Sequence, residues 1–141
     1  MDSKYNYKIL PEYRLIISRY SGKISENEII SLKETIKSDH AYNKEYNILD
    51  DYSDTDFNIT KESFSRVLFW LKDNYSGERN SAVLTSTPNQ VANIMKFKAL
   101  KNVTLPMRIN IFSTLNAALN WVEVSENHTT DIEKILEELK N

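Results

Sequence analysis

The sequence predicts an α/β fold: a mixed, mostly parallel five-stranded sheet with an antiparallel N-terminal edge strand, covered by four helices plus a C-terminal helix. Three observations carry that expectation. Two short runs rich in aromatic and β-branched residues open the chain on either side of Pro11-Glu12. Three alternations of a short apolar run with an apolar stripe at helical spacing follow. Connections long enough to hold a helix return the chain in the same direction, which makes neighbouring strands parallel. With 141 residues, 40% hydrophobic and 27% charged, the chain has the size of one domain and enough apolar mass for a core.

Tyr5–Leu10 and Tyr13–Tyr20 are read as the two arms of a hairpin. Ser25-Glu26-Asn27-Glu28 has the capping-box pattern, and Ile29, Leu32 and Ile36 recur behind it at helical spacing, so a helix is expected from Glu26 to about Lys37. Tyr46–Asp50 reads as a buried strand followed by a polar loop, Asp51 to Asn58. Phe64, Val67, Leu68 and Leu71 mark a second helix over Lys61–Asn74. Ser81–Thr85 is the next strand, and Thr87, Pro88 and Gln90 supply the cap, first position and box of a third helix running to about Lys101. In Met107–Phe112, Arg108 and Asn110 alternate with Ile109 and Ile111, so one face of this last strand is more polar. Ser113 is taken as the cap of a fourth helix bearing Leu115, Ala118, Leu119 and Val122. Thr130-x-x-Glu133 opens a final amphipathic helix with Ile132, Ile135, Leu136 and Leu139 in register. Trp70 and Trp121 fall on apolar helix sides and are assigned to the core.

Composition narrows the function classes. Eighteen basic against twenty acidic side chains give a net charge of −2, too little positive charge for a non-specific nucleic-acid binder. No apolar run reaches the roughly 20 residues of a transmembrane segment, and Met1–Lys8 lacks the apolar centre of a signal peptide, so a cytoplasmic address is expected. Without cysteine there is no thiol chemistry, disulfide or cysteine zinc site, and His40 and His128 are too far apart for a local ligand pair. Gly22 and Gly77, the two glycines, build no phosphate loop. No cofactor is expected.

The densest acidic cluster is Asp50, Asp51, Asp54 and Asp56. Read as a calcium loop from Asp54, it has Ile59 where the turn glycine belongs and Ser65 where the closing glutamate belongs. Read as a phosphorelay acceptor, it lacks an earlier acidic pair and a lysine after the last strand. A solvated loop is the expected role, and a metal-dependent small hydrolase on Asp50–Asp56 is the competing one. Lys96, Lys98, Lys101 and Arg108 form a basic group that suits a solvated face or, less simply, an anionic partner or membrane surface. Thr85, Ser86 and Thr87 have no neighbouring base to activate them and suit helix capping. In open α/β sheets ligands meet the carboxyl ends of the parallel strands, where helix N-termini converge. That edge nominates Thr60, Ser86, Thr87 and Ser113 as binding residues, on loops Asp51–Thr60, Ser86–Pro88 and Ser113–Thr114.

The run Y-R-L-I-I-S-R-Y-S-G-K-I-S-E-N-E, the strand N-I-L-D-D and the closing N-I-F-S-T-L-N-A-A-L-N-W-V, in this order of elements, resemble the STAS domain and its SpoIIAA-like group of small stand-alone bacterial proteins. The resemblance covers about Tyr5 to Val122. It implies a non-enzymatic regulatory or binding module acting through protein–protein contact, or a lipid- or small-molecule-binding protein of related fold. In the anti-sigma-factor antagonists of that family an Asp-Ser-Ser-Gly stretch opens the second helix and carries a phosphorylated serine. Here Asn58-Ile59-Thr60-Lys61 stands at that place and keeps one hydroxyl, Thr60, which is better explained as a helix cap. The domain is expected to span residues 1–124, with 125–141 an amphipathic extension. The apolar stripe of that extension must be buried either on its own domain or in a homodimer.

Overall fold

The computed structural model describes residues 3–57, 59–75, 77–98 and 105–140. Its sheet contains β1 (Lys4–Leu10), β2 (Leu15–Ile24), β3 (Asn47–Phe57), β4 (Asn80–Leu84) and β5 (Arg108–Phe112). The strands lie side by side in sequence order, with β1 antiparallel to β2 and every later pair parallel. The helices are α1 (Glu26–Ser38), α2 (Lys61–Asn74), α3 (Pro88–Lys98), α4 (Leu115–Trp121) and α5 (Thr129–Glu138). This is the mixed five-stranded α/β arrangement that the sequence predicts.

The hairpin closes through a tight turn at Pro11–Tyr13 and a left-handed residue, Arg14 (φ 50°), so β2 starts at Leu15 and Tyr13 belongs to the turn. The Arg14 carbonyl then accepts the Asn47 N–H at 3.0 Å, which ties the hairpin to the start of β3. Along β2 the side chains alternate between two cores. Ile16 and Tyr20 face Ile29, Leu32 and Ile36 of α1, Phe64, Val67 and Leu68 of α2, and Ile94 of α3. Leu15 and Ile17 face Ala118 and Leu119 of α4 and Ile132 and Leu136 of α5. Three successive crossovers each advance the sheet by one strand in the same direction, and a constant crossover hand puts all three helices on one face. The opposite face is left for α4 and α5.

The largest departure from expectation is β3. The sequence predicts a polar loop from Asp51 to Asn58, but the strand continues to Phe57. It pairs with β4 as far as Asp51, and Asp54–Phe57 then pair with Ser21–Ile24 of an equally extended β2. Between Arg19 and Ser21 the register shifts because β3 carries one extra residue there. Asp and Ser disfavour strands on average, and here neighbours outweigh that preference. Tyr52 stacks on Tyr20 with ring centres 4.5 Å apart, and the Thr55 hydroxyl donates to the Tyr52 carbonyl at 2.6 Å.

Other differences are local. Thr114, not Ser113, caps α4, its hydroxyl accepting the Ala117 N–H at 3.3 Å. The Thr130–Glu133 box does not form, because the chain enters α5 directly from a 3-10 turn at Glu126–His128 that Ser125 caps. Trp70 and Trp121 are half-buried at the rims, since an indole N–H at the water boundary finds a partner more readily than one in the core. For Trp121 that partner is the Arg108 carbonyl at 3.3 Å. The last residues expected in the third helix, 99–101, lie outside the described residues. Of the two burial sites expected for the C-terminal stripe, the structure has the one in cis: Ile132 and Leu136 are buried on the chain's own sheet.

Candidate functional site

The carboxyl edge of the parallel strands is built by helix caps. Thr60 begins α2, its hydroxyl accepting the Ser63 N–H at 3.1 Å. At the start of α3 the expected box is complete. Thr87 accepts the Gln90 N–H at 3.2 Å, and the Gln90 side-chain oxygen accepts the N–H groups of Ser86 at 2.6 Å and Thr87 at 3.2 Å. The Gln90 amide nitrogen reaches the other way, donating to the carbonyls of Ser53 at 3.1 Å and Thr55 at 3.0 Å. The Ser86 hydroxyl also donates to Ser53, at 2.6 Å. One glutamine therefore caps α3 and covers the edge of β3 where β4 has ended. Ser113 follows β5, next to Thr85, whose N–H donates to the Phe112 carbonyl at 2.9 Å.

All four nominated residues are exposed. Ser86, Thr87 and Ser113 lie at adjacent strand ends. Thr60 is set apart, because β3 runs on from Ser53 to Phe57, about 13 Å at roughly 3.3 Å per residue, before α2 begins. What was expected as the loop Asp51–Thr60 is largely that projecting strand.

The aspartates do not gather. Asp50 points toward α1, where Lys33 Nζ donates to its two oxygens at 2.9 and 2.8 Å and the Ser18 hydroxyl donates to the same carboxylate. Asp51 points to the opposite face, accepting the Ser53 N–H at 2.9 Å and lying 3.9 Å from Arg19 Nε. Arg19 also donates to Asp54 and, at 3.0 Å, to the Leu136 carbonyl in α5. Asp50 and Asp51 are buried ion-pair members where a solvated loop was expected. Among the described residues no group of three His, Cys, Asp or Glu side chains is placed to hold a metal ion.

Around Asp50 lies an aromatic interior. Burial pushes the hydroxyls of Tyr20 and Tyr52 well above the usual value of 10, the Asp50 charge adding to the effect on each. Tyr75 is raised as well, by burial first, with the nearby Arg79 cation opposing. These phenols stay neutral at physiological pH. Arg79, 1% exposed, donates to the Tyr75 carbonyl and the Tyr42 hydroxyl, both at 3.0 Å, and its guanidinium carbon lies 4.5 Å from the Tyr75 ring centre. A cavity of about 50 Å³ opens between the sheet and α1–α3, lined mainly by Ile29, Ile48, Val67, Val83, Ile94 and Met107. It is about a third of the roughly 150 Å³ that an apolar cavity needs to take benzene, so an acyl chain does not fit it.

Lys33, Arg19 and Arg79 fall outside the sequence reading, as does the second role of Gln90, its reach to the β3 carbonyls. Two left a signal: Lys33 stands on the apolar stripe of Ile29, Leu32 and Ile36, and Arg19 continues the Leu15–Ile17 alternation. A charge on a buried face implies a partner.

No family model and no curated protein matches the sequence. Solved structures do match in fold. An uncharacterized protein of the DUF3478 family with a SpoIIAA-like fold, from Shewanella loihica PV-4, is 16% identical with a TM-score of 0.54, over 86% of this chain and 96% of its own. An anti-sigma factor antagonist from Mycobacterium paratuberculosis is 16% identical with a TM-score of 0.58, over 86% of this chain and 95% of its own. The fold is STAS/SpoIIAA-like.

Proposed function

We propose that this protein is a non-enzymatic regulatory module of STAS type that acts by binding another protein at the carboxyl edge of its sheet. The observation that carries the reading is the fate of the reactive groups. Asp50, Asp51, Lys33 and Arg19 are turned inward and tied to one another or to backbone, while the edge presents exposed Ser86, Thr87 and Ser113, with exposed Thr60 beyond them past the projecting end of β3. Such a surface offers hydrogen bonds and shape without a nucleophile–base pair. The likeness in fold to an anti-sigma factor antagonist supports it. No helix among the described residues is long and apolar enough to cross a membrane. The lipid-binding alternative is weakened by the small cavity.

The test is native mass spectrometry of the purified full chain with whatever it retains, followed by binding of that partner to Thr60→Asp with Ser113→Asp. Aspartate still caps α2 at position 60, and Ser113 is exposed and caps no helix, so the melting temperature should stay within a few degrees. Partner affinity should fall at least tenfold. A retained lipid or nucleotide, or a partner indifferent to both changes, overturns the reading.

A further inference from the structure

The polarity of α3 is inverted. Its inward side carries the buried Gln90 and Asn93 beside Ile94, while Pro88, Val91, Ala92 and Met95, spaced i, i+3, i+4 and i+7, form an apolar stripe on the exposed side. Val91 is 36% exposed and Met95 49%, and α2, which packs beside α3, adds Phe69 at 50%. Core formation does not call for this stripe, because α3 meets the sheet with its other side.

Charge is as unevenly placed as hydrophobicity. Between Glu78 and Glu123 the chain has no acidic residue, although it has twenty in all, and that stretch contains Arg79, Lys96, Lys98, Lys101 and Arg108. It supplies β4, α3, β5 and α4, one whole side of the sheet. Along the helix backbone, positions 96 and 98 fall on the two flanks of the apolar stripe, and both are lysine. An apolar ridge with lysine at the backbone position on each flank complements an apolar face bordered by carboxylates. An anionic bilayer fits less well, because a flat surface would also press Glu62 and Asp73, which share the exposed face of α2 with Phe69, against lipid phosphates, whereas a single helix can lie along α3 alone.

We propose that the outward face of α3 docks an acidic amphipathic helix of a partner protein, its apolar side on Val91, Ala92 and Met95 and its carboxylates toward the lysine flanks. This rests on the reading of the protein as an interaction module and names the chemistry of its partner.

The experiment titrates the isotopically labelled full chain with a synthetic helical peptide of about 18 residues, five turns, bearing leucines on one side and glutamates on the other. A lysine-for-glutamate version and mixed phosphatidylcholine–phosphatidylserine vesicles are run in parallel. The glutamate peptide should shift the resonances of residues 88–95, and bind at least tenfold more weakly at about 1 M salt, where screening acts within about 3 Å. The double variant Val91→Ser with Met95→Ser changes only exposed positions and should lose that binding at unchanged melting temperature. No shift at α3, equal binding of the lysine peptide, or binding of the vesicles overturns the proposal. If a protein retained at the carboxyl edge binds the double variant as before, the α3 assignment falls while the interaction-module reading stands.

Discussion

Asp50 and Asp51 are neighbours in sequence and anchor opposite faces of the sheet, because successive side chains of a strand point to opposite sides. On the face covered by α1–α3, Asp50 holds Lys33 in the middle of the layer, both almost fully buried, with Ser18 completing the set. On the face covered by α4 and α5, Arg19 lies beside buried Asp51 and spends its other donors at the rim, on half-exposed Asp54 and on the backbone of α5. The first tie specifies how a core packs. The second clamps a terminal helix across a sheet. The partners decide which: Asp50 cannot lose Lys33 without being stranded inside the layer, whereas Arg19 also reaches half-exposed Asp54, which has water at hand.

Removing one partner from the enclosed tie breaks this comparison most forcefully. Lys33→Met strands Asp50 and should lower unfolding free energy by about 3–5 kcal/mol in urea titration. Adding Asp50→Leu should restore most of the loss. A single variant within about 1 kcal/mol of wild type would mean that the enclosed pair behaves like a surface one. Arg19→Met leaves Asp51 with the Ser53 N–H and leaves Asp54 to water, and should cost about 1.5–3 kcal/mol, the range for a hydrogen bond to a charged group. Its signature is faster hydrogen exchange confined to α5, and loss of protection throughout the sheet would erase the distinction between clamp and core.

The cavity belongs to the enclosed face, and filling part of it sharpens the contrast at smaller scale. Val83→Ile adds one methylene to its wall and should stabilise by about 0.5 kcal/mol at a cavity cost of about 24 cal/mol per Å³. A loss would show that Val83 is already tightly packed. The smallest effect is a surface tie between the helices of that face. Hydrogen bonds from the Arg66 guanidinium hold the Glu26 carboxyl below its usual value of 4.5. A lowered carboxylate value contributes stability that is fully present above the unfolded value and is lost as pH falls through the folded one. The melting-temperature difference between wild type and Glu26→Gln should therefore be small at neutral pH and shrink to nothing as the pH falls below 4.5 and through the lowered value. A difference that persists in acid would assign it to packing.

The element order was legible because each element had a period, and the caps at Ser25, Thr60 and Thr87 could be read from spacing alone. The projecting end of β3 was not legible. Ser53, Asp54 and Asp56 look like loop residues until Ser21–Ile24 and the Gln90 side chain, far away in sequence, supply their backbone partners. The candidate site divides in the same way. Its hydroxyl caps were found locally, whereas Lys33–Asp50 and Arg19–Leu136 join residues whose proximity only the fold creates.

A sheet whose spatial order repeats its sequence order has a kinetic consequence. During synthesis or refolding each strand finds its neighbour already in place, so every parallel pairing closes a loop no longer than one crossover, and short loops close at small entropic cost. The growing sheet always extends at the same edge, from β2 toward β5. Only when β5 and α4 are laid down does α5 return across β2, where Arg19 meets Leu136, 117 residues further along the chain. That long-range docking is the step expected to complete the native state and the first to reverse when the protein begins to unfold.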